Sequence, residues 1–194
     1  DHLPESQDIP GPWEVHFAPG WGAPGNARFD SLISWTNHPD PGIQCFSGAA
    51  VYTRTFTIPS ECVAANHRMI LDLGQVEVMA EVKLNDRNLG TLWKPPFRLD
   101  ITEAAREGTN RLEVMVVNLW PNRLIGDENL PEDSERNPDG TLIKWPQWLW
   151  DGKPSPTGRF TFTSWRLWKK SDALLPSGLL GPVRLQPARR VRLD

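Results

Sequence analysis

The residues with the most to offer chemically lie between Asn122 and Trp150. Trp145, Trp148 and Trp150 fall within six residues of one another, and Asn122, Arg123, Asp127 and Gln147 are interleaved with them or precede them. Sugar rings present apolar C–H faces that lie against indole rings, while their hydroxyls take hydrogen bonds from amides, guanidinium groups and carboxylates. These seven residues therefore form a candidate carbohydrate-binding set. The same tryptophans would also suit packing over a sheet or burial against another domain. Trp120, Trp165 and Trp168 sit in or beside expected strands and are assigned to the core.

The acids of this stretch raise two further chemistries. Calcium takes six to eight oxygen ligands, and Asp127, Glu128, Asp133 and Asp139 supply carboxylates, although without the spacing of an EF-hand. A structural calcium ion is thus a candidate cofactor, set against a plain solvated acidic loop. A glycosidase needs two carboxylates about 5 to 10 Å apart across the scissile bond. Asp127 and Glu128, the best pair by position, are neighbours in a loop with no third element to fix them. A lyase of this fold type would want a Tyr or His base. Tyr52 is the only tyrosine and falls on the core face of a strand, and His2, His16, His38 and His67 are isolated. Neither Cys45 nor Cys62 carries a nucleophile signature, and no serine stands in a GxSxG elbow. No catalytic residue is assigned.

These residues need a scaffold, and the pattern of the chain supplies one. In VMAEVKLNDRNLGTLW, Val78, Ala80, Val82 and Leu84 alternate with polar residues, which predicts a hairpin turning at Asn85-Asp86-Arg87-Asn88, with Gly90 at a bulge in the return arm. A lone hairpin is only marginally stable, so it needs neighbouring strands. Trp13 to Phe17, Leu32 to Trp35, Ala49 to Ile58, Met69 to Leu73, Phe97 to Ile101 and Leu112 to Val116 read as those strands. Val82, Leu84, Val114 and Val116 are placed in the core. Asp100 with Glu103 three residues on predicts a cap, and Ala104 to Glu107 one helical turn ended by Gly108. From Leu119 to Arg159 the period fails amid prolines; Phe160 to Trp165 then alternate as a penultimate strand, and Val183 with Leu185 closes the sheet. The expected fold is all-β, a jelly-roll β-sandwich with long loops and at most one short helix.

With 194 residues, one domain is expected. We divide it into a linker over residues 1–10, a sandwich over 11–187 and a tail over 188–194. A net charge of −3 and a pI near 5.8 give no electrostatic reason to expect nucleic acid or an anionic membrane as partner. The basic run Arg189-Arg190-Val191-Arg192 is too short to alter that. No apolar run approaches the roughly 20 residues of a membrane span. Beginning at Asp1, the chain reads as a processed product or an excised piece of something larger. Cys45 and Cys62 could pair, but two cysteines do not make a disulfide framework. Ten Trp against one Tyr, together with 19 Pro, exceed what a core of this size needs and point to aromatic, loop-borne surface.

CFSGAAVYTRTFTIP (Cys45 to Pro59), LDLGQVEVMAEVKLNDRNLGTLWKPPFRLDIT (Leu71 to Thr102) and GTNRLEVMVVNLWPNRLIGD (Gly108 to Asp127) resemble the jelly-roll sugar-binding domain of family 2 type glycoside hydrolases. With TGRFTFTSWRLWKKSDALLPSGLLGPVRLQ (Thr157 to Gln186), the similarity is closest to the C-terminal β-sandwich of family 106 α-L-rhamnosidases and covers residues 11 to 187. The resemblance implies a galactose-binding-like fold in a secreted or periplasmic polysaccharide-degrading enzyme. Its partners would be a plant or algal polysaccharide, rhamnose-containing in the rhamnosidase case, and the catalytic domain of the parent. In that family the catalytic carboxylates lie on a separate (α/β)8 barrel, which nothing here matches. Two readings follow: a non-catalytic module that binds carbohydrate, or a domain that braces the barrel without binding sugar. An independent hydrolase or lyase is a weaker third.

Overall fold

The computed structural model describes residues 3–63 and 67–189; His2 and the tail beyond Arg189 lie outside them. In chain order the strands are β1 (Gln7–Asp8), β2 (Trp13–Phe17), β3 (Asn26–Phe29), β4 (Ala49–Ile58), β5 (His67–Asp72), β6 (Gln75–Glu77), β7 (Met79–Leu84), β8 (Arg87–Leu92), β9 (Arg98–Asp100), β10 (Gly108–Val117), β11 (Gly178–Gly181) and β12 (Arg184–Arg189). The α-helices are short: α1 (Pro41–Gln44), α2 (Pro121–Asp127) and α3 (Gln147–Trp150).

The strands form a six-stranded sheet in the order β3-β2-β4-β10-β7-β8, a four-stranded sheet β1-β12-β5-β9 and a small pair β11-β6. Every pairing between named strands is antiparallel. Alternation decides which side chains meet. Tyr52, Val114 and Val82 lie opposite one another on three adjacent strands and are fully buried, as are Ala50, Leu84, Leu112 and Val116. They join Met69, Leu71 and Leu185 of the second sheet in one apolar cluster, so the inner faces of the two sheets enclose the core. The expected all-β sandwich and its four named core residues are what the structure contains.

The hairpin turns on Asn85 and Asp86, both at positive φ (50° and 66°), so the turn is two residues long rather than four. The bulge falls where Gly90 was expected to make one, with the register shifting between Val82 and Lys83. The ends of the sandwich reach further than its sequence limits. Gln7–Asp8 pairs with β12 and Ile9 is buried, so half of the presumed linker belongs to the fold, and Ala188 and Arg189 of the presumed tail pair with Arg68 and His67.

Several expected elements are displaced. No helix forms after Asp100. Its carboxylate instead closes a turn on the Thr102 amide at 3.0 Å, Glu103 reaches out to Arg87 at 2.9 Å, and Asn85 Nδ2 donates to the Ala104 carbonyl, so the capping box is never made. The helices lie elsewhere: α1 is capped by Asp40, which accepts from the Gly42 and Ile43 amides behind Pro41, and α2 also starts on a proline. Leu32 to Trp35 is not a strand; Trp35 opens a 3-10 turn whose ring is buried. Cys45 and Cys62 are free thiols. No helix among the described residues is long and apolar enough to cross a membrane.

Candidate functional site

The chain between β10 and β11 makes no named strand, yet it is built on a buried polar framework. Asn118 bridges its start to the sheet, accepting from the Gly48 amide (2.9 Å) and donating to the Phe46 carbonyl (2.8 Å) and Ser177 Oγ (3.0 Å). In the first turn of α2, Asn122 clasps the far end of the segment: its Oδ1 accepts from Leu175 N–H and its Nδ2 donates to the Leu175 carbonyl, both at 2.8 Å. Arg123 and Asp127, at i and i+4 on α2, are both buried and paired at 3.1 Å. The second Asp127 oxygen accepts from Phe160 N–H (2.9 Å), Thr161 N–H (2.8 Å) and Thr161 Oγ (2.7 Å). Arg159 then spends its guanidinium on Glu128 and on the Leu130 and Pro131 carbonyls at 2.8 to 2.9 Å.

This framework corrects part of the expected sugar-binding set. Asn122, Arg123 and Asp127 are nearly inaccessible, with every one committed to the chain itself, and so cannot face a ligand in solution. They are the anchors that order a strandless segment, since a buried polar group must find partners or stay in water. Gly126 belongs to the same anchor: a Cβ there would come within 2.6 Å of the Cys45 Cβ. Burial pushes the Cys45 thiol pKa up, Arg123 opposing that rise and Asp127 adding to it, which suits a structural rather than a reactive cysteine.

The same bookkeeping disposes of calcium. Asp127 is consumed as described, and Glu128 faces Arg159 at 2.8 Å and Arg166 at 3.4 Å. Asp133 is bound by Ser155 Oγ (2.8 Å) and faces Arg166, and Asp139 closes a turn on Thr141. Glu128, Glu132 and Asp133 gather around Arg166 rather than around an empty space, and among the described residues no group of three or more His, Cys, Asp or Glu side chains is arranged to hold a metal ion, so the residues present do not fit calcium. Asp127 and Glu128 are likewise committed to separate guanidinium groups instead of flanking a space for a glycosidic bond. His16, His38 and His67 bond to Asn26, to the Asp40 amide and to the Glu61 carbonyl, as isolated surface or capping groups.

What the framework holds up is aromatic. Trp145 and Trp150 are exposed (52% and 72%), 6.4 Å apart between ring centroids and inclined at 61°, forming a bent ledge rather than a coplanar row. Phe162 lies beneath, 5.6 Å from Trp145 and 5.7 Å from Trp148. Trp148 is half-buried and donates its indole N–H to the Asp133 carbonyl at 2.9 Å, pinning α3 in place. Gln147 is exposed on the same short helix, donating to Asp151 at 2.7 Å. Trp145, Trp148, Trp150 and Gln147 are therefore brought together, and the other three residues support them from inside.

Phe160 to Trp165 keeps its alternation without being a strand; its one bridge is Trp165 to Thr141. Phe162 packs under the ledge on one side, while Thr161, Thr163 and Trp165 line a cleft of about 290 Å³ on the other. Arg136, Arg159, Arg166 and Trp168 complete much of its wall. Trp165 is 54% exposed and Trp168 half-buried, so neither is a core residue as expected, and Trp120 is exposed too. Sequence reasoning missed this cleft. The alternation of Thr161, Thr163 and Trp165 against Phe162 is the sequence signal of a two-sided segment, and it does not distinguish a strand from this extended loop.

The family model described as "Glycosyl hydrolases family 2, sugar binding domain" matches residues 2–146, ending before α3 and before the part of the cleft wall that runs from Arg159 to Trp168. A protein of Formosa agariphila named as a candidate beta-glucuronidase is 48% identical over 184 residues, or 94% of this chain. The rhamnosidase of Novosphingobium sp. PP1Y superposes over 96% of the chain with a TM-score of 0.76 and 32% identity. The beta-glucuronidase of Bifidobacterium dentium does so over 97% with a TM-score of 0.63 at 22% identity, a likeness of fold. The chain spans only 16% of the Formosa protein, 16% of the rhamnosidase and 31% of the Bifidobacterium enzyme. With three quarters of its length matched by one family model, this chain belongs to the sugar-binding domain family of family 2 glycosyl hydrolases.

Proposed function

We propose that this domain is a non-catalytic accessory module of a larger, secreted or periplasmic polysaccharide-degrading glycosidase, and that it holds carbohydrate against the ledge of Trp145 and Trp150. One observation carries the reading. Two large indole faces are exposed to water on a segment whose rigidity is maintained by buried hydrogen bonds, an arrangement that costs stability unless a ligand or partner covers it. Gln147 beside them supplies an amide for sugar hydroxyls. Plant or algal polysaccharide is the proposed substrate of the parent; the rhamnosidase and the glucuronidase names among the relatives favour a rhamnoside or a glucuronide without deciding between them.

A second role, bracing, is favoured by a different surface. Leu92 pairs with Ala80, and Val117 with Met79 and Ala49, so β8 and β10 leave the six-stranded sheet at one end. There Trp93, Leu119 and Trp120 stand exposed, with Trp21 edge-on to Trp120 at 5.2 Å. We assign this apolar end to the catalytic part of the parent and the ledge to glycan. The two roles are compatible because the surfaces are separate stretches of chain. The test is a glycan array probed with the chain and with Trp150→Ala. Binding that disappears in the variant supports the reading. An array blank for the parent, or one unchanged by the variant, overturns the ledge assignment and leaves bracing.

A further inference from the structure

The cleft beyond Phe162 differs from the ledge in what it can hold. At about 290 Å³ it lies just below the range of roughly 300 to 1,000 Å³ typical of small-molecule sites, enough for a single sugar ring. Two tryptophans, Trp165 and Trp168, offer ring faces and Thr161 and Thr163 offer hydroxyl groups. The cleft also carries three guanidinium groups, which at first suggest an acidic ligand. Each is already answered. Arg159 meets Glu128 at 2.8 Å, and Arg166 is bound by Glu132 and faces Glu128 at 3.4 Å and Asp133 at 3.8 Å. Arg136 donates to Ser134 Oγ (3.1 Å) and to the Gly140 (3.1 Å) and Thr163 (2.6 Å) carbonyls. Burial and the neighbouring Arg166 push the Arg136 pKa down while Asp133, Glu132 and Glu128 push it back, and Arg159 joins these five charges through its contacts with Glu128 and Glu132.

The lining carries three guanidinium groups and the carboxylates of Glu128 and Asp133, and Glu132, bound to Arg166 from outside the lining, brings the local charges to three of each sign, leaving no surplus for an incoming anion. A carboxylate or sulfate placed there would lose its hydration and find guanidinium groups whose hydrogen bonds are taken. A neutral ring has no charge to desolvate and can exchange hydrogen bonds with the Thr163 hydroxyl, and donate to Thr161 Oγ, whose own proton goes to Asp127, while its C–H face stacks on indole. Segment 161–163 is the shared wall: Phe162 supports the ledge and its two flanking threonines face the cleft.

We propose that this cleft is a second sugar subsite, selective for a neutral glycosyl unit over its uronic acid counterpart, so that one glycan chain can be gripped by cleft and ledge together. The proposal rests on the carbohydrate-binding reading, and deepens it by naming the class of sugar and a second place where it sits.

The experiment is an indole N–H titration of the nitrogen-15-labelled chain, with the tryptophan signals assigned by single Trp→Phe changes. The probes are the methyl glycosides of glucose, galactose and rhamnose, and those of glucuronic and galacturonic acid. The expected result is that a neutral glycoside moves the Trp165 and Trp168 signals, with its uronic acid counterpart at least tenfold weaker, and that Trp165→Ala removes this response while the Trp150 signal still answers to sugar. Shifts confined to Trp145 and Trp150 would overturn the cleft subsite and leave the ledge standing. Equal or tighter binding of the acidic glycoside would overturn the selectivity. If no indole signal moves with any of the five, both this proposal and the carbohydrate-binding reading fall.

Discussion

Replacing Asp127 with Ala should destabilise the domain far more than any exposed carboxylate in it. Asp127 sits 1% exposed, holding Arg123 with one oxygen and the Phe160 and Thr161 amides with the other. Its removal leaves a buried guanidinium without its counter-charge, a change that costs roughly 3 to 5 kcal/mol when one partner of a buried pair is deleted. The two orphaned amides add to that, but they share the same collapse and should not be summed with it. Against a total stability of about 5 to 15 kcal/mol for a domain of ordinary kind, the loss is enough to release the segment around residues 128–177 before the sandwich itself melts. Urea unfolding with limited proteolysis reads both effects: the midpoint should fall, and new cuts should cluster in that segment. Asp127→Asn can keep the oxygen that accepts from Phe160 and Thr161 but then turns an NH2 toward Arg123 and loses the charge, so its cost should lie nearer that of Asp127→Ala than that of an exposed carboxylate. An Asp127→Ala chain that unfolds within about 0.5 kcal/mol of the parent, with no new cuts, would refute the anchoring role.

Trp148→Ala should cost about 2 to 3 kcal/mol, less than a fully buried tryptophan because the ring is only half covered, and a thermal melt checks it. Val114→Asp should prevent soluble folding, since the charge would lie between Tyr52 and Val82 with no partner; a soluble variant melting like the parent would contradict the strand register. Burial raises the Tyr52 pKa to about 12 from an ordinary 10.0. Below pH 10 neither state ionises and its contribution is complete; above it the unfolded chain sheds the proton first, so stability should fall by roughly 2 to 3 kcal/mol as pH approaches 12. As the only tyrosine, its phenolate absorbance reports the titration directly, and ionisation near pH 10 in the folded chain would contradict the burial argument.

Much of the sandwich could be read from local pattern. β4, β7 and β10 alternate cleanly because each has one face on the core, and alternation is a property of neighbouring residues alone. β3 escaped because only Phe29 of its four residues is buried, and β11 because Gly178 and Gly181 leave little periodic signal. The helix expected after Asp100 does not form because, from the hairpin, Arg87 claims the Glu103 carboxylate of the cap and Asn85 claims the Ala104 main-chain carbonyl. The site divides the same way. A tryptophan cluster in a proline-rich stretch is visible in sequence, whereas the burial of Asn122, Arg123 and Asp127 depends on Leu175, Ser47 and Thr161, which only folding brings near. Polar residues in a strandless segment read as exposed until their distant partners are known.

The claim that this domain grips glycan through Trp145 and Trp150 is tested most directly by calorimetric titration of the chain and of Trp150→Ala with one oligosaccharide chosen from the array. Stacking on one or two rings with a few hydrogen bonds predicts a dissociation constant on the order of 0.1 to 1 mM, or about 4 to 5.5 kcal/mol. Trp150 is 72% exposed, so its loss should leave the melting temperature near that of the parent while reducing affinity at least tenfold. Equal affinity in parent and variant, at equal stability, would contradict the account.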